Sequence, residues 1–252
     1  MKTVNRAIII IIWILLWQIL SSFVSLPLLL PNPIDTAKAM IGLLSKIIFW
    51  KSLGKSMLRV LLGFVLAAIT GTLFAVICSR WSWLDQFFSP IKSLIRSTPI
   101  SSFIILVLLW ISVDIVPIFI AFLTVMPIIW QSVQQGIIQT SPLLLEMGHI
   151  YSFSPGKVYK YIYLPSILPY FYSASATGMG FAWKACIAAE VIAKPLFSVG
   201  KNLQDAKVYL QTEELFAWTF TVILLSLSLE TVLKRLIHME TGKLERKTNA
   251  PV

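Results

Sequence analysis

The sequence predicts an all-α integral membrane protein with about six transmembrane helices. Three observations carry that reading. Of the 252 residues, 57% are hydrophobic and only 13% are charged, whereas a soluble domain is nearer half apolar and a quarter charged. The mean hydropathy is +0.82. The apolar residues also gather into several runs of span length. The net charge of +10 is read as basic loops on the cytoplasmic face, not as a nucleic-acid footprint. Cys78 and Cys186 sit in apolar runs and read as small buried hydrophobes, silent on redox compartment.

Residues 1–30 form the first predicted unit. Lys2 and Arg6 precede an apolar run from Ile8 that continues towards Leu30, beyond a signal-peptide core, so it is read as an uncleaved span over Ala7–Leu26, closed by Pro27. Leu30-Pro31-Asn32-Pro33 cannot continue a helix. Residues 31–55 are expected to form one amphipathic helix on the bilayer surface, because Lys38, Lys46, Lys51 and Lys55 alternate with apolar residues at helical spacing.

Residues 56–237 form the predicted core. Leu58–Ser79 is span 2, with Gly63, Ala67 and Gly71 four apart on one face for close helix packing. Arg80-Trp81-Ser82-Trp83 makes an interfacial belt, and Asp85–Arg96 a mildly basic interfacial segment. Pro99–Ser112 is span 3, and Asp114 and Pro117 make a tight return. Ile115–Val133 is span 4, which contains Pro127. A wet loop, 141–163, precedes span 5 at Leu164–Val191. A polar segment from Lys194 to Glu214 leads to span 6 at Leu215–Ile237. Residues 238–252 are read as a frayed polar tail.

Six spans place both termini on one side. That side carries twelve basic residues against four acids, a balance of +8, and the other side eight against five, +3. The more basic side is predicted to be cytoplasmic, and the 141–163 loop lies there. Ser141-Pro142 and Ser154-Pro155 each read as an N-cap followed by proline at the first helical position. The loop is therefore expected to hold two short helices, a docking surface for a partner.

Within span 5, Ser173, Ser175, Thr177 and Met179 belong to a run of small and hydroxyl residues. Such a run fits close packing or the lining of a polar path, and the two are compatible. Lys184 and Glu190 are ionisable groups on the same helix; such groups usually face protein or water. No HExxH, glycine-rich phosphate loop, Walker motif or Cys/His cluster occurs. No catalytic residue, metal or cofactor is expected, so the energy for any transport must come from another chain.

The spacing within the loop resembles the EAA loop of ABC-transporter permeases. Glu146-Met147-Gly148 stands for Glu-Ala-Ala, Ser152 stands where the family has glycine, Ile162 takes the apolar place, and Leu164-Pro165 closes the pattern. Leu30-Pro31-Asn32-Pro33, the run SMLRVLLGFVLAA from Ser56, Ala182-Trp183-Lys184-Ala185 with Ala188-Ala189-Glu190, Lys207-Val208-Tyr209-Leu210 and Leu215-Phe216-Ala217-Trp218 resemble the nitrate/sulfonate/taurine branch. The likeness covers about residues 26–237.

This resemblance implies a type I ABC importer permease with a MetI-like fold. It implies two cytoplasmic ATPase subunits, an extracytoplasmic solute-binding protein and a second permease copy in the lipid bilayer. It also implies that Ser141–Gly156 is the coupling helix: Glu146 in its first turns meets a cation on the ATPase, and His149, Tyr151 and Phe153 supply an apolar anchor. A coupling helix of about 12 residues would be about 18 Å long. The branch carries small anions such as nitrate and sulfonates as well as organic nutrients. The competing reading is a secondary transporter or channel without an ATPase, which needs more polar residues in its spans. If the EAA glycine has positive φ, Ser152 must adopt it at about 1 kcal/mol, or the turn relies on Gly156 instead.

Overall fold

The computed structural model describes residues 2–24, 26 and 28–248. Among these no strand occurs. In chain order the helices are α1 (Lys2–Val24), α2 (Pro33–Leu44), α3 (Ile47–Arg80), α4 (Ser82–Ser97), α5 (Ile100–Val107), α6 (Val116–Ile138), α7 (Pro142–Ile150), α8 (Pro155–Val158), α9 (Leu164–Ala193), α10 (Val199–Val208) and α11 (Thr212–Thr248), with a π-helical turn over Tyr159–Tyr163.

The core is a sandwich of α3, α6 and α9. The small face of α3 behaves as its spacing predicts. A methyl group at Gly63 would lie 2.7 Å from the Ile118 carbonyl oxygen, and one at Gly71 would lie 2.8 Å from that of Met126. Ala67, between them, is fully buried. The backbones of α3 and α6 therefore meet almost directly, as small residues permit. Gly178 of α9 instead makes room for a side chain of α6: a methyl group there would lie 2.9 Å from Val125 Cγ1.

Three helices, α3, α6 and the Thr212–Leu233 part of α11, are long and apolar enough to cross a membrane. The pair α4 and α5 makes a fourth if taken as one broken span. Two more elements bring the architecture near the expected six. In α1, Ile8–Val24 is an apolar stretch, with Trp17 stacked on Phe216 of α11. At about 1.5 Å per residue, the 30 residues of α9 also suffice, although its Ser173–Gly180 run dilutes the hydropathy. Pro27, predicted to close span 1, lies outside the described residues.

Three expectations are corrected. The surface helix over residues 31–55 is not one element: α2 ends at Leu44, Ser45 and Lys46 break the chain, and α3 runs 34 residues from Ile47. The boundary at 55/56 thus falls inside α3, because the apolar register of Ile47–Trp50 continues straight into the span. Only α2 remains separate, capped by Asn32, whose side chain accepts from the Asp35 N–H at 2.7 Å. The Lys38 ammonium, then the Asn32 amide, hold the Asp35 carboxyl below its ordinary pKa.

The second correction concerns span 3. The helix stops at Val107 after only eight residues, and α4 and α5 meet at 104°. Proline forces the preceding residue out of the helical region, and Thr98 is accordingly extended, at φ −77°, ψ 131°. Third, the tail does not fray at 238: α11 continues to Thr248, in keeping with its Lys, Glu, Arg and Leu content. The polar segment 194–214 holds the helix α10. Residues 249–252 lie outside the described set.

Candidate functional site: a docking helix, a polar face and a buried ion network

The 141–163 loop holds one free-standing helix, α7, where two were expected. Pro142 and Pro155 do occupy first helical positions, but neither Ser141 nor Ser154 makes a side-chain cap bond. The second helix, α8, passes through the π turn into α9 without a break. Leu164-Pro165 accounts for the turn. Pro165 has no N–H for the Tyr161 carbonyl, and its ring crowds that carbonyl. The chain widens there, so that the Leu164 N–H reaches back to the Tyr159 carbonyl, the wide-turn pairing of a π-bulge.

Helix α7 is braced on this turn. Gly148 is buried, and a methyl group there would meet the end of Ile162 at 3.1 Å and Val158 at 3.7 Å. The second alanine position of the motif, held here by Gly148, and its apolar position, Ile162, are thus in contact. At its C-terminus the Phe153 N–H donates to the Gly148 carbonyl at 2.8 Å, and the Ser152 N–H donates to that of His149 at 3.0 Å. This pair of bonds is a Schellman cap, which needs a left-handed residue at its penultimate position. Ser152 takes it, with φ 51°, and no described glycine, Gly156 included, has positive φ. The cost of that conformation falls on a serine. Ser152→Gly is therefore expected to stabilise the cap by about 1 kcal/mol, read as slower amide hydrogen exchange across α7.

The outward side of the loop exposes Glu146, Met147, His149 and Ser152 together with Leu143, Ile150, Tyr151 and Phe153. Tyr151 is 69% exposed and Ile150 77%. A groove of about 730 Å³ is bounded by Gly148, His149, Ser152, Phe153, Val158 and Tyr163. Leu164 and Pro165, at the start of α9, are exposed as well.

The polar run of α9 divides into two faces, because residues two apart on a helix do not share one. Ser173, Thr177 and Lys184 are exposed along one side, and the Lys184 ammonium lies 6.0 Å from the Phe181 ring centre. Ser175 and Met179 are 4% and 5% exposed and face the bundle. Thr177 and Phe181 border a cavity of about 450 Å³ shared with Arg96 and Thr98 of the α4–α5 bend, Phe103 of α5 and Thr124 of α6. Helix α4 is held over α6 by Lys92, 4.5 Å above the Trp130 ring, and by an Arg96–Gln131 bond of 2.7 Å.

Glu190 does not line that cavity. Its side chain is fully buried. One carboxylate oxygen accepts from Arg59 Nη1 at 3.0 Å, the other from the Gly200 N–H at 3.1 Å, and the Ser56 hydroxyl lies within 2.8 Å of both. Ser56 accepts in turn from the Val199 N–H. A methyl group at Gly200 would sit 2.4 Å from Glu190 Cβ, so glycine is what lets the N-terminus of α10 reach the carboxylate. Arg59 also donates to the Leu196 and Phe197 carbonyls and to Asp114 Oδ1 at 3.3 Å. Lys194 and Phe197, at φ 53° and 51°, fold the α9–α10 connection over the guanidinium. The sequence reading counted Arg59 only among the basic residues on the side opposite the termini and gave it no partner. The available signal was that a charged residue in a span requires a partner.

Residues 67–239 match the family described as the inner membrane component of binding-protein-dependent transport systems. The bicarbonate transport system permease protein CmpB of Synechocystis sp. is 28% identical over 212 residues, covering 77% of this chain and 73% of the relative. The taurine transport system permease protein TauC of Escherichia coli is 22% identical over 236 residues, 91% of this chain and 84% of the relative. The putative aliphatic sulfonates transport permease protein SsuC of the same organism is 26% identical over 232 residues, 91% and 85%.

Proposed function

The chain belongs to the family of inner-membrane components of binding-protein-dependent transport systems, in the nitrate/sulfonate/taurine branch of ABC importer permeases, and we propose that it passes a small anion along a path between the α4–α5 bend, α6 and α9. As a multi-pass membrane permease it works with ATPase and binding-protein partners. In this reading two copies of the chain face each other across the path, with the termini and α7 in the cytoplasm. ATP is hydrolysed by two separate ATPase chains that grip α7.

The observation that carries the reading is the bracing of α7. Its apolar side is exposed, while Gly148 and Ile162 lock its other side to a turn continuous with α9. A push on α7 reaches α9 with little slack, and α9 carries Ser173, Thr177 and Lys184 on its free face. Closure of the ATPases would rock α9 and open the path outward, and their separation would open it inward. Glu146 is the acidic contact to the ATPase, and Met147, His149, Tyr151 and Phe153 its anchor. The curated relatives are named for bicarbonate, taurine and aliphatic sulfonates, solutes that share an anionic group. Lys184 and Arg96 supply cations beside the path, and Thr177 a hydroxyl.

Replacing Glu146–Phe153 by a Gly-Ser segment of equal length tests this. The variant is expected to insert normally and to lose its ATPase subunits on affinity purification. Undiminished co-purification of the ATPase would sink the assignment of α7.

A further inference from the structure

The Arg59 network has a fixed part and a detachable part. Ser56, Arg59, Glu190, the Gly200 and Val199 amides and the Leu196 and Phe197 carbonyls are mutually bonded and shielded, and the Arg59 and Glu190 side chains are 8% and 0% exposed. Asp114 differs: its side chain is 64% exposed, and its ion-pair contact with Arg59 is 3.3 Å where that of Glu190 is 3.0 Å. If Asp114 leaves, Arg59 keeps a full counter-charge in Glu190 and two carbonyl acceptors, so no buried charge is stranded. Breaking the inner pair strands one; breaking the outer pair does not.

Asp114 sits in the connection between α5 and α6, the two helices that supply Ile100, Phe103, Ile120, Leu123 and Thr124 to the cavity. Beneath it, Ile104, Val107, Val116 and Ile120 pack on Ala185, Ala189 and Ala193 of α9. Those alanines recur every four residues and form a smooth stripe with little side-chain interlock, which suits sliding of packed helices. Among the described residues, Arg59–Asp114 is the ion pair that ties this connection to α3.

We propose that Asp114 is the gating residue of the path: its bond to Arg59 holds the α5–α6 connection against the α3–α9–α10 seat and keeps the mouth opposite α7 closed until the ATPases close. The Ser56–Arg59–Glu190 cluster is the anchor, and Asp114 is the part that moves. This rests on the path assigned above.

The test uses the whole transporter, with its ATPase and binding protein, in lipid nanodiscs. Asp114→Asn is expected to raise ATP hydrolysis in the absence of binding protein by about two- to fivefold, the release of one exposed ion pair. The maximum rate with saturating binding protein should stay unchanged, and Asp114→Glu should restore low basal hydrolysis. Basal hydrolysis equal to wild type in Asp114→Asn overturns the proposal. So does a fall in assembly or thermal stability matching that of Glu190→Gln, which would make Asp114 another part of the anchor. ATP-driven uptake by the wild-type complex is read in parallel. If uptake proceeds while Asp114→Asn is silent, the latch fails and the permease reading stands; if no ATP-driven uptake occurs, the permease reading fails first.

Discussion

Glu190→Gln is expected to destabilise the permease by about 3–5 kcal/mol, the cost of leaving the buried Arg59 with only the exposed Asp114 as counter-charge. The geometry allows the amide no good orientation. One oxygen of Glu190 faces the Arg59 guanidinium and the other the Gly200 N–H. Either flip of a glutamine sets its NH₂ against a donor, so a buried polar contact becomes a repulsion. Arg59→Met should cost a similar amount, because Glu190 would then be a buried carboxylate held by a hydroxyl and one amide. The double variant Arg59→Met with Glu190→Leu should lose clearly less than the sum of the singles, since removing both charges strands neither. Thermal unfolding of the purified permease in detergent reads all three. A Glu190→Gln protein as stable as wild type would mean that water or lipid headgroups reach the site and that the network is no anchor.

That network also marks where reading from sequence runs out. Composition and apolar runs suffice for α1, α3, α6, α9 and α11, because each carries its own signal within one segment. The Gly63–Ala67–Gly71 face is legible for the same reason. Arg59 and Glu190 lie 131 positions apart, and nothing local to either names the other. Taken alone, Glu190 looks like a path residue because it sits on a helix with hydroxyls. The same locality explains the α9 run: Ser173, Ser175, Thr177 and Met179 read as one lining, but helical geometry sends the first and third to one face and the second and fourth to another. The π turn was missed although Leu164-Pro165 was noticed. The proline's effect is felt four residues upstream, inside a loop expected to hold two short helices, where nothing local signals a wider turn. In the 141–163 loop, by contrast, spacing carried through to geometry. The strain expected at Ser152 is present as a positive φ, and the apolar position of the motif, Ile162, packs on Gly148.

Valine at Gly63 or Gly71 should be the other large effect, about 1–3 kcal/mol or more at each position. Cost in a crowded site depends on what must give way. At Gly63 the new Cβ would lie 2.7 Å from both the Ala121 methyl and the Ile118 carbonyl, and at Gly71 it would lie 2.8 Å from the Met126 carbonyl and 3.2 Å from the Trp130 nitrogen. Most of these neighbours are backbone of a helix, so no rotamer change relieves them and α3 and α6 must separate. Helix α6 carries the cavity residues Thr124 and Pro127, so separation should lower transport as well as stability. Gly42 and Gly54 supply the contrast, since neither would meet an atom within 4 Å. Alanine there should be neutral or gain up to about 1 kcal/mol from helix propensity alone. Unfolding midpoints for the four single variants separate contact from propensity. If Gly63→Val and Gly71→Val unfold with wild-type midpoints, the close approach of α3 to α6 is wrong, and the cavity built on that scaffold must be redrawn.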